Sequence, residues 1–484
     1  MAEKSLKKNA FYSVLRTIMS LLFPLITFPY ASRILLPEGI GKVNFANSIT
    51  SYFIIISGLG ISSYAVREAS KLRHDKLRLS IFCTEVFIIN AISTVVSYSL
   101  LFLTLFLVPR LFELRVLILV CSTTILFTSI GFEWLYNAME EYRYISIRSV
   151  FFQIVSVLLL FLLVQEQDDY IIYAGISVFA SVGSNVCNAA RLHKFCTPVR
   201  LGLINIKQHI KSIMVFFGVN LALSVFTVLD ISMLGILSTD EQVGYYSAAT
   251  KLIHIIRNLF PAVFTVVFPR LSIFVSNSDF QEMKAVVHTM LVFLFCLSLP
   301  AIAGLYILAK PVVVVLSGPS FLPALPSMYV MIPTILFSSF AGFIGGTLLN
   351  ALHKEKLYLV CVTIAAATNF ILNVPLISFW ESFGASMSTL FTEFLLVILY
   401  LSINRRFIQF GLLLKNILQF IVATAIMSVV CWYLRDCFVN VALQIVVVAC
   451  SGLIVYFLVL LVIKNTFATD ALRMLKKRII YRGK

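Results

Sequence analysis

Apolar runs of about twenty residues or longer recur from one end of the chain to the other, separated by short basic breaks. Each run is long enough to cross the roughly 30 Å hydrocarbon core of a bilayer as an α-helix. Lipid satisfies no backbone N–H or C=O, so a spanning segment must be a helix or part of a closed barrel. Long runs are present and the ten-residue alternation of barrel strands is not, so the sequence predicts an all-α, polytopic membrane protein. Composition agrees. Of 484 residues, 60% are hydrophobic and 12% charged, and mean hydropathy is +0.97, beyond the roughly 45–50% apolar share of a soluble domain.

About fourteen spans are predicted, near 8–34, 41–66, 79–109, 112–138, 147–165, 170–190, 210–237, 243–268, 285–309, 325–352, 357–379, 383–403, 416–434 and 441–463. The basic opening MAEKSLKKNAFYS precedes a run too long for a signal peptide and without its cleavage site, so it reads as a retained first span. The stretch 310–328, KPVVVVLSGPSFLPALPSM, is apolar but broken by Gly318, Pro319, Pro323 and Pro326. It is expected to be an outer connection or partly re-entrant segment.

Charge sets the orientation. With the N-terminus inside, 29 of the 38 Lys and Arg fall on the inner side and 6 on the outer. That bias places both termini in the cytoplasm and makes the number of crossings even. The formal charge of +16 lies in these breaks rather than on a solvated domain or stripe, which argues against nucleic acid as a partner. Nine Cys are scattered without a C-x-x-C pair or metal spacing, so no disulfide framework, metal site or cofactor is expected.

An offset of 203 residues superimposes the start of span 7 on span 1 and of span 8 on span 2. Gly41 then meets Gly244, Ala46 meets Ala249, Phe23 meets Phe226, and Arg67 meets Arg270. Six spans separate the copies, so two six-helix halves run parallel and are related about an axis along the membrane normal. The expected domains are 1–208 and 209–409, two added helices in 410–465, and a basic cytoplasmic tail, 466–484.

Polar side chains form stripes on the first two helices of each half. Asn9, Ser13, Arg16 and Ser20 share one face of span 1, and Ser247, Lys251, His254 and Asn258 repeat that spacing in span 8. Span 2 carries Asn44, Asn47, Ser48 and Ser51; span 7 carries Asn220, Ser224 and Thr227, with Asp230 slightly off their line. Ser, Thr and Asn commonly serve as packing residues where membrane helices touch. Charges differ, because Arg or Lys at mid-span costs roughly 2.5–3.5 kcal/mol. Arg16, Lys251, Arg257 and Asp230 therefore suggest a hydrated central cavity, the alternative being a structural pair of Asp230 with Lys251 or Arg257. Glu85, Glu133 and Glu393 are read evenly as paired or near a membrane surface.

Enzymatic and ATP-driven chemistry find little support. GIGKV near residue 40 has Leu36 and Val43 where a phosphate loop needs Gly and Ser or Thr. No H-x-x-x-H pair or G-x-S-x-G elbow occurs.

Residues 23–73, with Pro37, Glu38, Gly39 and Gly41 before a polar second span and Arg67–Glu68 at its inner end, resemble the opening of the Wzx-type polysaccharide flippases. These belong to the multidrug/oligosaccharidyl-lipid/polysaccharide exporter superfamily. The resemblance continues at 230–253 and 268–272; Leu36 departs from it, standing where the family usually has Gly. It implies two six-helix bundles around a cavity open alternately to each side of the bacterial inner membrane. It implies a polyprenyl-diphosphate-linked oligosaccharide as cargo, for O-antigen or exopolysaccharide, with membrane lipids, a polysaccharide polymerase and chain-length machinery as partners. Arg16, Lys251 and Arg257 would then meet the diphosphate, and Asn44, Asn47, His254 and Asn258, with Asp230, would complete the cavity. A multidrug exporter of the same superfamily, and a membrane polysaccharide polymerase, are the alternatives.

The orientation is directly testable. In intact cells an impermeant thiol reagent should label Gln167→Cys and Thr239→Cys but not Lys477→Cys; the reverse pattern would invert the topology.

Overall fold

The computed structural model describes residues 6–197, 199, 204–469 and 473. Its ordered elements are helices, with no strand among the described residues. Most of the basic tail lies outside the described residues, as do the side chains of Asn220 and Phe226. Two compact units, Met1–Ser247 and Ala248–Lys484, divide the chain.

In the first unit, helix α1 (Leu6–Gly58) is two helices meeting at Leu36, where φ is 57° and ψ 179°. The break has a local cause. The residue before a proline is driven out of the α region, and Pro37 suits the first position of the next helix. Holding a non-glycine residue there costs about 1–3 kcal/mol, which accounts for the Gly that the resemblance expects. After Gly60, at φ 70°, come α2 (Ile61–Lys71), α3 (Lys76–Leu107), α4 (Pro109–Glu113) and α5 (Arg115–Ile130). The span predicted over 112–138 breaks at Phe132, φ 44°, and resumes as α6 (Glu133–Ala138). Then follow α7 (Tyr142–Leu163), α8 (Tyr170–Val178), α9 (Asn185–Arg191), α10 (Lys207–Leu237) and the first turns of α11 (Asp240–Arg257).

The second unit contains the rest of α11, α12 (Phe260–Ser276) and α13 (Phe280–Leu316). Helix α13 runs past Lys310 and through Pro311, so the predicted outer connection contracts to Ser317 and Gly318, the latter at φ 96°. Proline removes one backbone donor without requiring the helix to end, and the valines after it continue the turn. The chain then forms a 3₁₀ turn (Pro319–Ala324), α14 (Leu325–Met331), α15 (Thr334–Phe340) and a π-helical segment (Ala341–Leu349). This group bends by 47° between residues 331 and 334, around Pro333. Helix α16 (Glu355–Asn404) is again two helices, meeting at Glu381 with φ 50°. Helices α17 (Phe410–Arg435) and α18 (Val441–Val462) pack on α13, where Tyr456 donates a hydrogen bond to the Cys296 carbonyl at 2.9 Å.

Among the described residues nine helices are long and apolar enough to span, ten with the bent group. Two of the nine contain the breaks at Leu36 and Glu381. The result is a polytopic, all-helical membrane fold.

One contact in the first unit carries the symmetry of the 203-residue offset. A Cβ on Gly41 would overlap the Asp240 carbonyl oxygen, and a Cβ on Gly244 would overlap the Pro37 carbonyl oxygen. Each glycine thus approaches the backbone four residues before its counterpart. Such close approach is how membrane helices gain packing energy where lipid supplies no hydrophobic drive between them. Arg110, reaching Asp240 at 2.6 Å, braces the same place. Gly41→Ala or Gly244→Ala should destabilise the protein by about 1–3 kcal/mol or more, since the backbone must move. Thermal unfolding in detergent measures it, with Gly58→Ala and Gly218→Ala, which face open space, expected to stay near wild type.

Candidate functional site

In the first unit, Arg16 meets Glu133, Nη2 to Oε1, at 2.5 Å. The break at Phe132 makes this pair: it restarts the helix at Glu133, whose carboxylate sits in the favourable first turn. Arg148, inside α7, lies within electrostatic reach of both Glu133 and Arg16. It is only 7% exposed and donates through Nη1 to the Ser184 carbonyl at 2.9 Å. Glu133 is thus paired with Arg16 and has a second guanidinium at longer range. On the paired polar helices, Tyr52 bonds Ser232 at 2.7 Å and Tyr246 donates to Asp230 at 2.7 Å. Asn44 is half-buried and Asn47 exposed.

In the second unit, Arg257 in the last turn of α11 meets Glu393 of α16 at 2.7 Å. Their side chains are 21% and 4% exposed. Beside them a cavity of about 630 Å³ is lined by His254, Arg257, Asn258, Phe264, Ser338 and Thr347, among others. The break between α11 and α12 opens it, leaving Asn258 exposed at the join. Ser338 contributes a buried hydroxyl with no hydrogen-bond partner among the described residues. Lys251 is half-buried one turn before His254 on the same helix.

Of the residues expected to line a cavity, the structure brings His254, Arg257 and Asn258 to one wall. The carboxylates it places against Arg16 and Arg257 are Glu133 and Glu393. The polar stripes of the sequence do not single out Arg148, which stands beside a basic inner loop. The signal was present, because Arg148 begins an apolar run that continues helically to Leu163. Glu85 is also paired: it is buried, accepts from Gln208 Nε2, and lies 2.7 Å from His209 Nε2, whose other ring nitrogen is 2.6 Å from the Tyr64 hydroxyl.

Apolar spans that hold cations against carboxylates, beside a largely apolar cavity with His254, Arg257 and Ser338 in its wall, define a polytopic membrane protein. The chain belongs to the family described as polysaccharide biosynthesis protein, whose model matches residues 6–275. It is 25% identical over 409 residues to a putative O-antigen transporter of Escherichia coli (strain K12), covering 83% of this chain and 97% of that one. Over 161 residues it is 26% identical to a probable low-salt glycan biosynthesis flippase, Agl15, of Haloferax volcanii, covering 33% and 34%. Its fold is similar to the lipid II flippase MurJ in an inward closed conformation, with TM-score 0.58, 16% identity, and 96% and 99% coverage. It is also similar to an inward-facing multidrug resistance MATE family transporter of the MOP superfamily, with TM-score 0.61, 11% identity, and 83% and 99% coverage.

The two ion pairs should differ in cost. Glu393→Gln strands a mostly buried Arg257 and should destabilise by about 3–5 kcal/mol. Glu133→Gln should cost much less, because both partners are more than a third exposed. Equal losses of thermal midpoint would show that burial does not set these energies.

Proposed function

We propose that this protein is a flippase that carries a polyprenyl-diphosphate-linked oligosaccharide from the inner to the outer leaflet of the bacterial inner membrane. The observation that carries the reading is the excess of cation at Arg16, Arg148 and Glu133. A structural pair would need one guanidinium per carboxylate; a second, largely buried one favours an anionic ligand. Arginine binds phosphate oxygens through two parallel N–H groups, and Lys251 would act as a point charge. The hydroxyls and amides of Ser338, Asn44, Asn47 and Asn258 suit sugar hydroxyls; His254 lines the same cavity as Ser338 and Asn258. The names of the relatives from E. coli and H. volcanii support the same cargo class.

Both termini are cytoplasmic in this reading, and the chain makes fourteen crossings. The broken helices at Leu36 and Glu381 count as two crossings each. Residues 1–208 and 209–409 form the parallel repeats, 410–465 add two helices, and 466–484 are a basic cytoplasmic tail. Transport proceeds without ATP bound to this chain. Substrate shifts the protein between inward- and outward-open forms only by binding one more tightly. The multidrug reading needs an acidic wall for organic cations, yet Glu393 is already committed to Arg257.

In proteoliposomes, a fluorescent polyprenyl-diphosphate oligosaccharide should cross the bilayer with the wild-type chain. It should cross at least about tenfold more slowly with Arg16→Ala, Arg148→Ala or Lys251→Ala, a loss of about 1.4 kcal/mol or more in barrier. Drug efflux and polymer length should not change. Full flipping by the triple variant would remove the anion site, and drug efflux without flipping would favour the multidrug exporter.

A further inference from the structure

The sulfur atoms of Cys83 and Cys196 lie 2.9 Å apart, both as free thiols. That is about 0.9 Å beyond the bonded distance of about 2.04 Å. Cys83 sits in the second turn of α3. Cys196 lies in the segment that joins α9 to α10, and thus the first predicted repeat to the second. The approach is built rather than incidental, since that segment is fastened to α3 at two points after Cys196. Thr197 donates its backbone N–H to Ser80 Oγ at 3.1 Å, and Asn205 donates its own to Glu85 Oε1 at 2.6 Å. Phe195, 3% exposed, packs edge-on against Tyr136 at 5.5 Å.

We propose that Cys83 and Cys196 are a reversible redox site, a dithiol that peroxide converts to a disulfide fastening the inter-repeat segment to α3. Access gives the order of events. Cys83 is 3% exposed and Cys196 is half-buried, so peroxide reaches Cys196 first. Its sulfur takes one peroxide oxygen, the O–O bond breaks, water leaves and a sulfenic acid remains. The Cys83 sulfur attacks that sulfenic sulfur, the S–O bond breaks, and a second water departs with the thiol proton. Two thiols lose two electrons and one peroxide becomes two waters. An added dithiol reverses the bond by exchange.

The surroundings suit a sensor rather than a permanent bond. Arg73, Arg78, Arg191 and Lys194 flank the pair in sequence, on the side that the charge bias assigns to the cytoplasm. Thiols there are kept reduced, and disulfides are transient and redox-sensing. Once bonded, the pair closes a ring across 113 residues of sequence and holds the segment that must move if the halves rock. The chemistry stands apart from the flippase reading; only its effect on transport rests on it.

The test uses the full chain in proteoliposomes with hydrogen peroxide and then dithiothreitol. Peroxide should lower the free thiols, titrated after denaturation, from nine to seven, yield a Cys83–Cys196 cross-linked peptide, and raise the thermal midpoint, all reversed by dithiothreitol. Cys196→Ser and Cys83→Ser should each abolish the cross-link. If either variant folds poorly, alkylating the native chain before peroxide gives the same comparison. Oxidation of Cys187 or Cys437 with no Cys83–Cys196 peptide would overturn the site. Flipping should be largely lost on oxidation in the wild type and unchanged in Cys196→Ser. Equal flipping by oxidised and reduced wild type would overturn the lock, whereas absence of flipping in both would count against the flippase reading alone.

Discussion

A charge inside a bilayer has no water to solvate it, and the polar architecture of this protein follows from that constraint. Arg16 and Arg257 each meet a carboxylate from another helix, and Arg148 is turned onto a carbonyl. The backbone bends to make these contacts. The left-handed residue Phe132 ends one helix and starts the next at Glu133, so a local break supplies the partner that Arg16 needs. A buried ion pair stabilises little compared with apolar packing of the same volume, because desolvation offsets most of its attraction. Of the two pairs, Arg257–Glu393 is largely buried, whereas both partners of Arg16–Glu133 are more than a third exposed.

Packing answers the same solvent in another way. Lipid tails are as apolar as the side chains, so helices associate through close fit rather than exclusion from water. The reciprocal approach of Gly41 to Asp240 and of Gly244 to Pro37 removes two side chains so that backbones can touch. A contact of that kind is discrete: it is made or broken, with little in between, which suits a protein that must hold one arrangement and leave it for another. The segment joining α9 to α10, fastened through Ser80 and Glu85, adds a second tie within the first unit.

Much of the fold was legible because hydropathy is local. The helical class and most spans follow from run length alone. Element ends were less so. Pro311 and the valines after it read as the start of a loop, yet the helix continues to Leu316, since one missing backbone donor did not outweigh an unbroken apolar face. Glu85, Glu133 and Glu393 could be read only as paired or peripheral, and all three proved to be paired. The signal for Arg148 was visible in its apolar run but masked by its closeness to a basic loop.

The sequence by itself determined the solvent of this chain, its helical class and the chemical character of its stripes, because span length, periodicity and residue type are read along a single helix. The tertiary structure decided which carboxylate meets which cation. Arg16 and Glu133 lie 117 residues apart and Arg257 and Glu393 136. No local pattern encodes such a meeting, since it depends on where breaks at residues such as Leu36, Phe132 and Glu381 redirect the helices that carry them.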